Sequence, residues 1–422
     1  MHQKHYKQYD EVVETTRLAN GMEVIVNPKP RFNSTYAMLT TNFGSIDVRL
    51  ANRSVPAGIA HFMEHKLFDK QHYDSSDHYA ALGASDNAFT SFTQTSYLFT
   101  ATDNVLANLR VLLDLVYHPF FSPEKIAKEQ GIIGQEILMY QDDPNSRIYF
   151  DTIANLYSHS PLSADIAGDI DSIAQITEAD LYATYRQYYQ PGNLTLTVCG
   201  PITLAEMLPV LHELPATSAN PAELRRLQQQ TKRDIQNSTV VPATTTTLAV
   251  TTPKAALGYR GPAPVVRGRE FAKQELAFGI FLQLLFSEDS DIYQNLYQTG
   301  IINDSFGFDF EMEADYHFLI LALDTDHPDR FFTTIPAVIQ KALQEPQRLA
   351  RQFKLIQNEE LGARITQMNS VTGTANQLGT TLDGYTNLFD EIEIINQLDL
   401  PTVLQIAQTF FQASQKTTNL IK

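Results

Sequence analysis

The stretch 59-IAHFMEHKLF-68 places two histidines four residues apart in an apolar run, with a glutamate directly before the second. A second stretch, 278-FGIFLQLLF-286, repeats its apolar pattern without the three polar residues. Read as the same buried helix in two copies of one α/β unit, the pair decides the fold, because the surrounding segments recur in the same order. Tyr79-Ala-Ala-Leu-Gly83 corresponds to Tyr297-Gln-Thr-Gly300. NAFTSFTQTSYLFTATD (87–103) parallels DSFGFDFEMEADYHFLILALDTD (304–326), each an alternating strand, a turn and a second strand ending in Thr-Asp. ITEADLYATYRQYY (176–189) resembles LDLPTVLQIAQTFF (398–411). In this alignment His61 faces Gly279, Glu64 faces Leu282 and His65 faces Gln283, so chemistry is expected in the first copy only.

Between the copies, LPATSANPAELRRLQQQTKRDIQNSTVVPATTTTLAV (214–250) is rich in Pro, Ser, Thr, Asn and Gln around a charged, helical insert. It reads as a connector. The expected domains are therefore 1–215, a connector at 216–248, and a degenerate copy at 249–422. Other helices are expected at VLANLRVLLDLVYHPF (105–120) and, from its Ser-Pro start, at SPEKIAKEQGIIGQEILMY (122–140).

Composition narrows the function classes. A net charge of −17 argues against nucleic acid as a partner. No apolar run is long enough for a membrane span, and the N-terminal MHQKHYKQYDEVVETT has no apolar core of a secretory signal. With a single cysteine, Cys199, neither an intrachain disulfide nor a thiolate metal cluster is available. A cytoplasmic location without membrane association is expected, and any metal site must use His and carboxylates, which suit zinc or manganese. Cys199, near a strand end, is expected as a small buried residue.

On a helix, positions i and i+4 share a face, so His61 and His65 can direct two imidazoles at one ion, with Glu64 beside it. Zinc needs a third protein ligand and an open position. The other reading is a satisfied polar cluster on a partly buried helix, which would also require partners for these groups. Downstream, Glu129 and Glu136 in 129-EQGIIGQE-136 are seven residues apart and share a helical face, with both isoleucines expected toward the core. One of these carboxylates could complete a His-His-Glu site and the other support it. Two solvated glutamates are the alternative. His72 and His78 are expected as loop histidines.

At this point the sequence resembles a family. H-x-x-E-H, the inverse of H-E-x-x-H, with GASDNAFTSF (83–92), E-x6-E, Gly44-Ser45, PLSADIAGDIDSI (161–173) and YQPGNLTLTVCG (189–200), is similar to the pitrilysin or insulinase-type (M16) zinc peptidases. It looks nearest to a short bacterial branch whose members act in pairs. The resemblance implies an α+β fold of two homologous α/β-sandwich domains, each a mostly antiparallel sheet covered by helices, forming a bowl or clam-shell half. It implies Zn2+ held by His61, His65 and Glu136, with Glu64 as general base and Glu129 as the supporting carboxylate. It also implies an edge strand at Asn87, Ala88 and Phe89 that pairs with an extended peptide substrate. An ordinary core strand is the other reading of that segment.

The family presents an Arg and a Tyr, spaced R-x6-Y, from the copy without zinc ligands. The matching segment, 290-SDIYQNLYQTGIINDSF-306, has no arginine, and Tyr297 stands near the arginine position. The resemblance thus implies a zinc endopeptidase acting on small or unfolded peptides, as the zinc-bearing subunit of a homodimer or heterodimer whose related partner supplies the Arg/Tyr pair. The competing expectation is a non-catalytic scaffold or peptide-binding subunit of a complex.

Overall fold

The computed structural model describes residues 2–214, 221–262, 268–379 and 387–422. The chain forms two compact units: Met1–Ile137 with Ala164–Thr231 and Gln367–Leu382, and Leu138–Ser163 with Lys232–Thr366 and Asp383–Lys422.

The first unit is built on seven strands: β1 (His2–Tyr6), β2 (Glu11–Arg17), β3 (Glu23–Pro28), β4 (Thr35–Thr41), β5 (Ala84–Thr90), β6 (Thr95–Ala101) and β7 (Leu194–Gly200). Their order is β1-β2-β3-β7-β4-β6-β5, and every neighbouring pair is antiparallel except β3 and β7. The accompanying helices are α1 (Ile59–Phe68), α2 (Ser75–Leu82), α3 (Val105–Tyr117) and α4 (Pro123–Asp142). After α5 (Pro144–Leu156), which belongs to the second unit, come α6 (Ile170–Ala174), α7 (Glu178–Tyr188), α8 (Leu204–Leu211) and α9 (Pro221–Gln236). Helix starts follow local chemistry: Thr177 with Asp180 and Thr203 with Glu206 form reciprocal capping boxes on α7 and α8.

The second unit carries β8 (Ala243–Thr246), β9 (Lys254–Arg260), β10 (Gly307–Met312), β11 (His317–Asp324) and β12 (Gln415–Ile421), in the order β10-β11-β9-β12-β8. Only β12 and β8 run parallel. Its helices are α10 (Arg269–Phe286), α11 (Asp291–Gln298), α12 (Pro328–Gln344), α13 (Gln347–Gln367), α15 (Leu388–Gln397) and α16 (Leu400–Ala413), while α14 (Val371–Gly379) lies in the first unit. Strand for strand, β8-β12-β9-β11-β10 reproduces β3-β7-β4-β6-β5, including the parallel pair. Each unit is a mostly antiparallel sheet covered by helices, as the family resemblance implied.

Central strands are buried on both faces, and this reads directly from β4, TYAMLTT. Ala37 and Leu39 enter the main core with Phe62, Met63 and Leu67 of α1. The alternate residues Tyr36 and Met38 face Val371 and Ala375 of α14, together with Cys199. The second sheet is covered in the same way by α5, which packs on β9, β12 and β11. Gly258 in β9 permits that approach: a Cβ there would come within 2.7 Å of Thr152 and 3.2 Å of Leu156. Each sheet therefore has one of its faces packed against a helix drawn from the other half of the sequence.

Of the expected connector, 216–220 lies outside the described residues, and the remainder includes α9 and β8. His72 is exposed outside the named elements, whereas His78 lies on α2, stacked on Tyr73. Cys199 is fully buried, and that burial pushes its thiol up to about 12. Among the described residues no helix is long and apolar enough to cross a membrane.

Candidate metal centre

Helix α1 buries Ile59, Ala60, Phe62, Met63 and Leu67, which leaves His61, Glu64 and His65 on its partly exposed face. Its N-terminus is set by Gly58 at φ 84°, where a Cβ would stand 2.3 Å from the Ala167 carbonyl oxygen. Only glycine meets both conditions there. Helix α4 runs past α1 and presents Glu129 and Glu136 from one face. The intervening isoleucines part company: Ile133 is buried in the core, while Ile132 is 48% exposed beside the site. Successive helical residues point about 100° apart, so both could not face the core.

His61 Nε2 lies 3.8 Å from Glu136 Oε1, and His65 Nε2 lies 3.9 Å from Glu136 Oε2. One ligand atom from each of the three lies within 4.8 Å of the others, which among the described residues is the only such His, Cys, Asp or Glu group. Zinc bonds of about 2 Å to N and O let one ion bridge atoms up to roughly 4 Å apart, the size of both His–Glu separations. Burial, reinforced by neighbouring His65, pushes His61 down to about 4, so its imidazole is neutral and has a lone pair to give. Two imidazoles and a carboxylate, without thiolate, form a donor set that zinc accepts.

His65 Nδ1 lies 3.0 Å from Glu129 Oε1. Burial works to raise Glu129, but the His65 hydrogen bond and the Lys66 charge outweigh it and hold the carboxyl below its ordinary value. An ionised Glu129 only accepts, so Nδ1 carries a proton, and in the neutral ring it is Nε2, on the side of Glu136, that has the lone pair. Burial also opposes the charged form of His65, but the Glu129 bond and the surrounding carboxylates overcome it and raise the ring above its usual value.

Glu64 stands outside the His61–His65–Glu136 group and accepts a hydrogen bond from the Thr90 hydroxyl at the end of β5. Burial raises its carboxyl above the ordinary range, against the pull of Thr90 and His65. A cavity of about 490 Å³ opens beside it, lined by residues that include Glu64, His65, Phe68, Asn87, Ala88 and Ile132. Among the described residues strand β5 pairs only with β6 and forms one edge of its sheet. Asn87 and Phe89 are exposed and Ala88 half-buried; the Ala88 N–H donates to Asn87 Oδ1 at 2.8 Å.

The structure thus brings His61, His65 and Glu136 together, sets Glu129 behind His65 and Glu64 in front, and puts Asn87 and Ala88 on the adjoining cavity. Phe89 lies on the same edge strand but outside that lining. Thr90 and Lys66 were missed from sequence. Thr90 follows the expected edge segment directly, and Lys66 was marked only by being a cation inside an apolar helical run.

These features define a class: a duplicated α+β fold in which an H-x-x-E-H helix of the first copy faces a carboxylate from a neighbouring helix. Residues 27–170 match the family model for insulinase (peptidase family M16), and residues 175–367 match that for the peptidase M16 inactive domain. The chain is 35% identical over 418 residues to the uncharacterized zinc protease YmfH of Bacillus subtilis, covering 98% of this chain and 97% of that one. The chain belongs to peptidase family M16. A crystal structure of an M16-like peptidase from Alicyclobacillus acidocaldarius superposes with a TM-score of 0.84 at 25% identity, covering 97% of this chain and 98% of that one. A protease from Helicobacter pylori shares the fold at a TM-score of 0.80 and 18% identity, covering 97% and 99%. Family and fold together support a peptidase-type function.

Proposed function

We propose that the chain is a zinc-dependent endopeptidase of small or unfolded peptides. The observation that carries this reading is the convergence of His61, His65 and Glu136 with Glu64 beside them. His61, His65 and Glu136 would hold the ion. Zinc in that position supplies polarisation of a peptide carbonyl and acidification of water. Glu64, oriented by Thr90, takes the proton of the attacking water and delivers it to the departing amine. Glu129 fixes the tautomer of His65. The open edge of β5 at Asn87, Ala88 and Phe89 receives the peptide as an added strand, with one side chain in the adjoining cavity.

Glu64→Gln keeps the shape and the Thr90 contact but removes the base. The variant is expected to retain zinc by metal analysis and to lose peptide hydrolysis by about 100-fold or more. Unchanged turnover would sink the role given to Glu64.

The second copy favours a paired enzyme. Tyr297 and Asp304 stand at the spacing expected for the Arg and Tyr, and the Tyr297 hydroxyl donates to Asp304 Oδ1 at 2.7 Å. A related M16-like subunit is proposed to supply the missing pair. A non-catalytic scaffold is the other reading of that substitution, and such a scaffold should purify without stoichiometric metal.

A further inference from the structure

Three lysines among the described residues are almost completely buried: Lys29, Lys66 and Lys70. Lys29 pairs with Glu11 at the far face of the first sheet, and Lys70 donates to the carbonyls of Asp114, Leu115 and His118 at the end of α3. Lys66, 1% exposed, is the one beside the metal centre.

Its ammonium lies 2.7 Å from Asp69 Oδ2 and 3.3 Å from Glu129 Oε2. The other oxygen of Asp69 takes Lys125, and the other oxygen of Glu129 takes His65. The result is a row of alternating charge, Lys125–Asp69–Lys66–Glu129–His65, that ends on a ligand imidazole. Burying an ammonium is costly, and apolar side chains usually fill such positions at less cost. The duplicated fold shows what folding alone requires here. With His65 facing Gln283, Lys66 faces Leu284, which is fully buried in the core of the second unit. The copy without ligand histidines uses leucine.

We propose that Lys66 is a positioning residue of the metal centre. It occupies Glu129 Oε2, which leaves Oε1 turned to His65 Nδ1 and so holds the His65 ring with Nε2 toward Glu136. This rests on the reading of those three residues as ligands.

The test is zinc affinity of the full chain, measured by competition with a chromophoric chelator, for wild type, Lys66→Met, Glu129→Gln and the double variant. Lys66→Met is expected to weaken zinc binding about tenfold, in the range for loss of a group supporting a ligand. In the Glu129→Gln background the same change is expected to matter by less than about twofold, because its path to the metal is already cut. Equal weakening in both backgrounds, or wild-type affinity in Lys66→Met, would overturn the proposal. If Lys66→Met does not fold, Lys66→Leu, which installs the residue found at the matching position 284, carries the same comparison. A wild-type chain that binds no zinc overturns the ligand assignment itself, an outcome separate from any effect of Lys66.

Discussion

Burial pushes two histidines down to about 4, His61 and His317, and their surroundings give them different consequences. His61 has Glu136 beside Nε2, whereas His317, 7% exposed at the start of β11, has no hydrogen-bond partner for either nitrogen among the described residues and packs against Phe410. In the unfolded chain His317 should titrate near its ordinary 6.5. Between pH 6.5 and 4 the unfolded state therefore binds a proton that the folded state refuses, and stability falls as pH falls. His317→Met removes this term. The stability difference between wild type and variant, from urea unfolding at a series of pH values, is expected to move against wild type by up to about 1.4 kcal/mol per pH unit across that window. A difference that stays flat from neutral pH to about 4.5 would contradict this account of His317. At this scale the sequence was legible where partners are local. His61, Glu64 and His65 declare themselves by spacing on one helical turn. Lys66 did not, because Glu129 is 63 residues away and a lysine on a helix ordinarily reads as solvated.

Elements were legible wherever hydrophobic periodicity is set by a single neighbour. The alternation in 87–103 gave the β5–β6 hairpin, and the spaced leucines of 105–120 gave α3. The first hairpin, β1 and β2, was not read, since His2–Tyr6 is largely exposed and its polar residues mask a strand. Nor does an amphipathic helix state which sheet it will cover. Nothing in VTGTANQLG identifies α14 as the cover of β4 and β7, in a sheet built from the first half of the chain. Ala375 is fully buried there against Tyr36, Met38 and Cys199. Ala375→Asp places an unpaired carboxylate in that layer and is expected to destabilise the protein by roughly 3 kcal/mol. Hydrogen exchange should localise the damage, with faster exchange at β4 and β7 amides and little change at β9 and β12. Faster exchange confined to β9 and β12 would refute the assignment of α14 to the first sheet.

For the whole molecule, duplication explains why the fold could be read from one chain, and it underlies the proposal that one chain does not complete the site. Two copies of a helix, one carrying His61, Glu64 and His65 and the other carrying Gly279, Leu282 and Gln283, mark the repeat, and only the first has the histidines that could hold a metal. The proposed pairing was less legible, because it rests on residues this chain lacks. With Tyr297 bonded to Asp304 at the position expected for the Arg/Tyr pair, the second copy presents a hydroxyl and a carboxylate in place of a cation. A carboxylate cannot stabilise the negative charge that develops on a peptide carbonyl under attack, whereas an arginine can. The isolated chain is therefore expected to bind zinc yet turn over a fluorogenic unfolded peptide slowly, and a related M16-like chain that carries the Arg/Tyr pair should raise that rate by at least about tenfold. Native mass spectrometry of the active mixture should show a stable pair, and Glu64→Gln in this chain alone should abolish the gained activity. Full turnover by the isolated chain, unchanged on mixing, would show that the second copy completes the site with residues other than an Arg/Tyr pair.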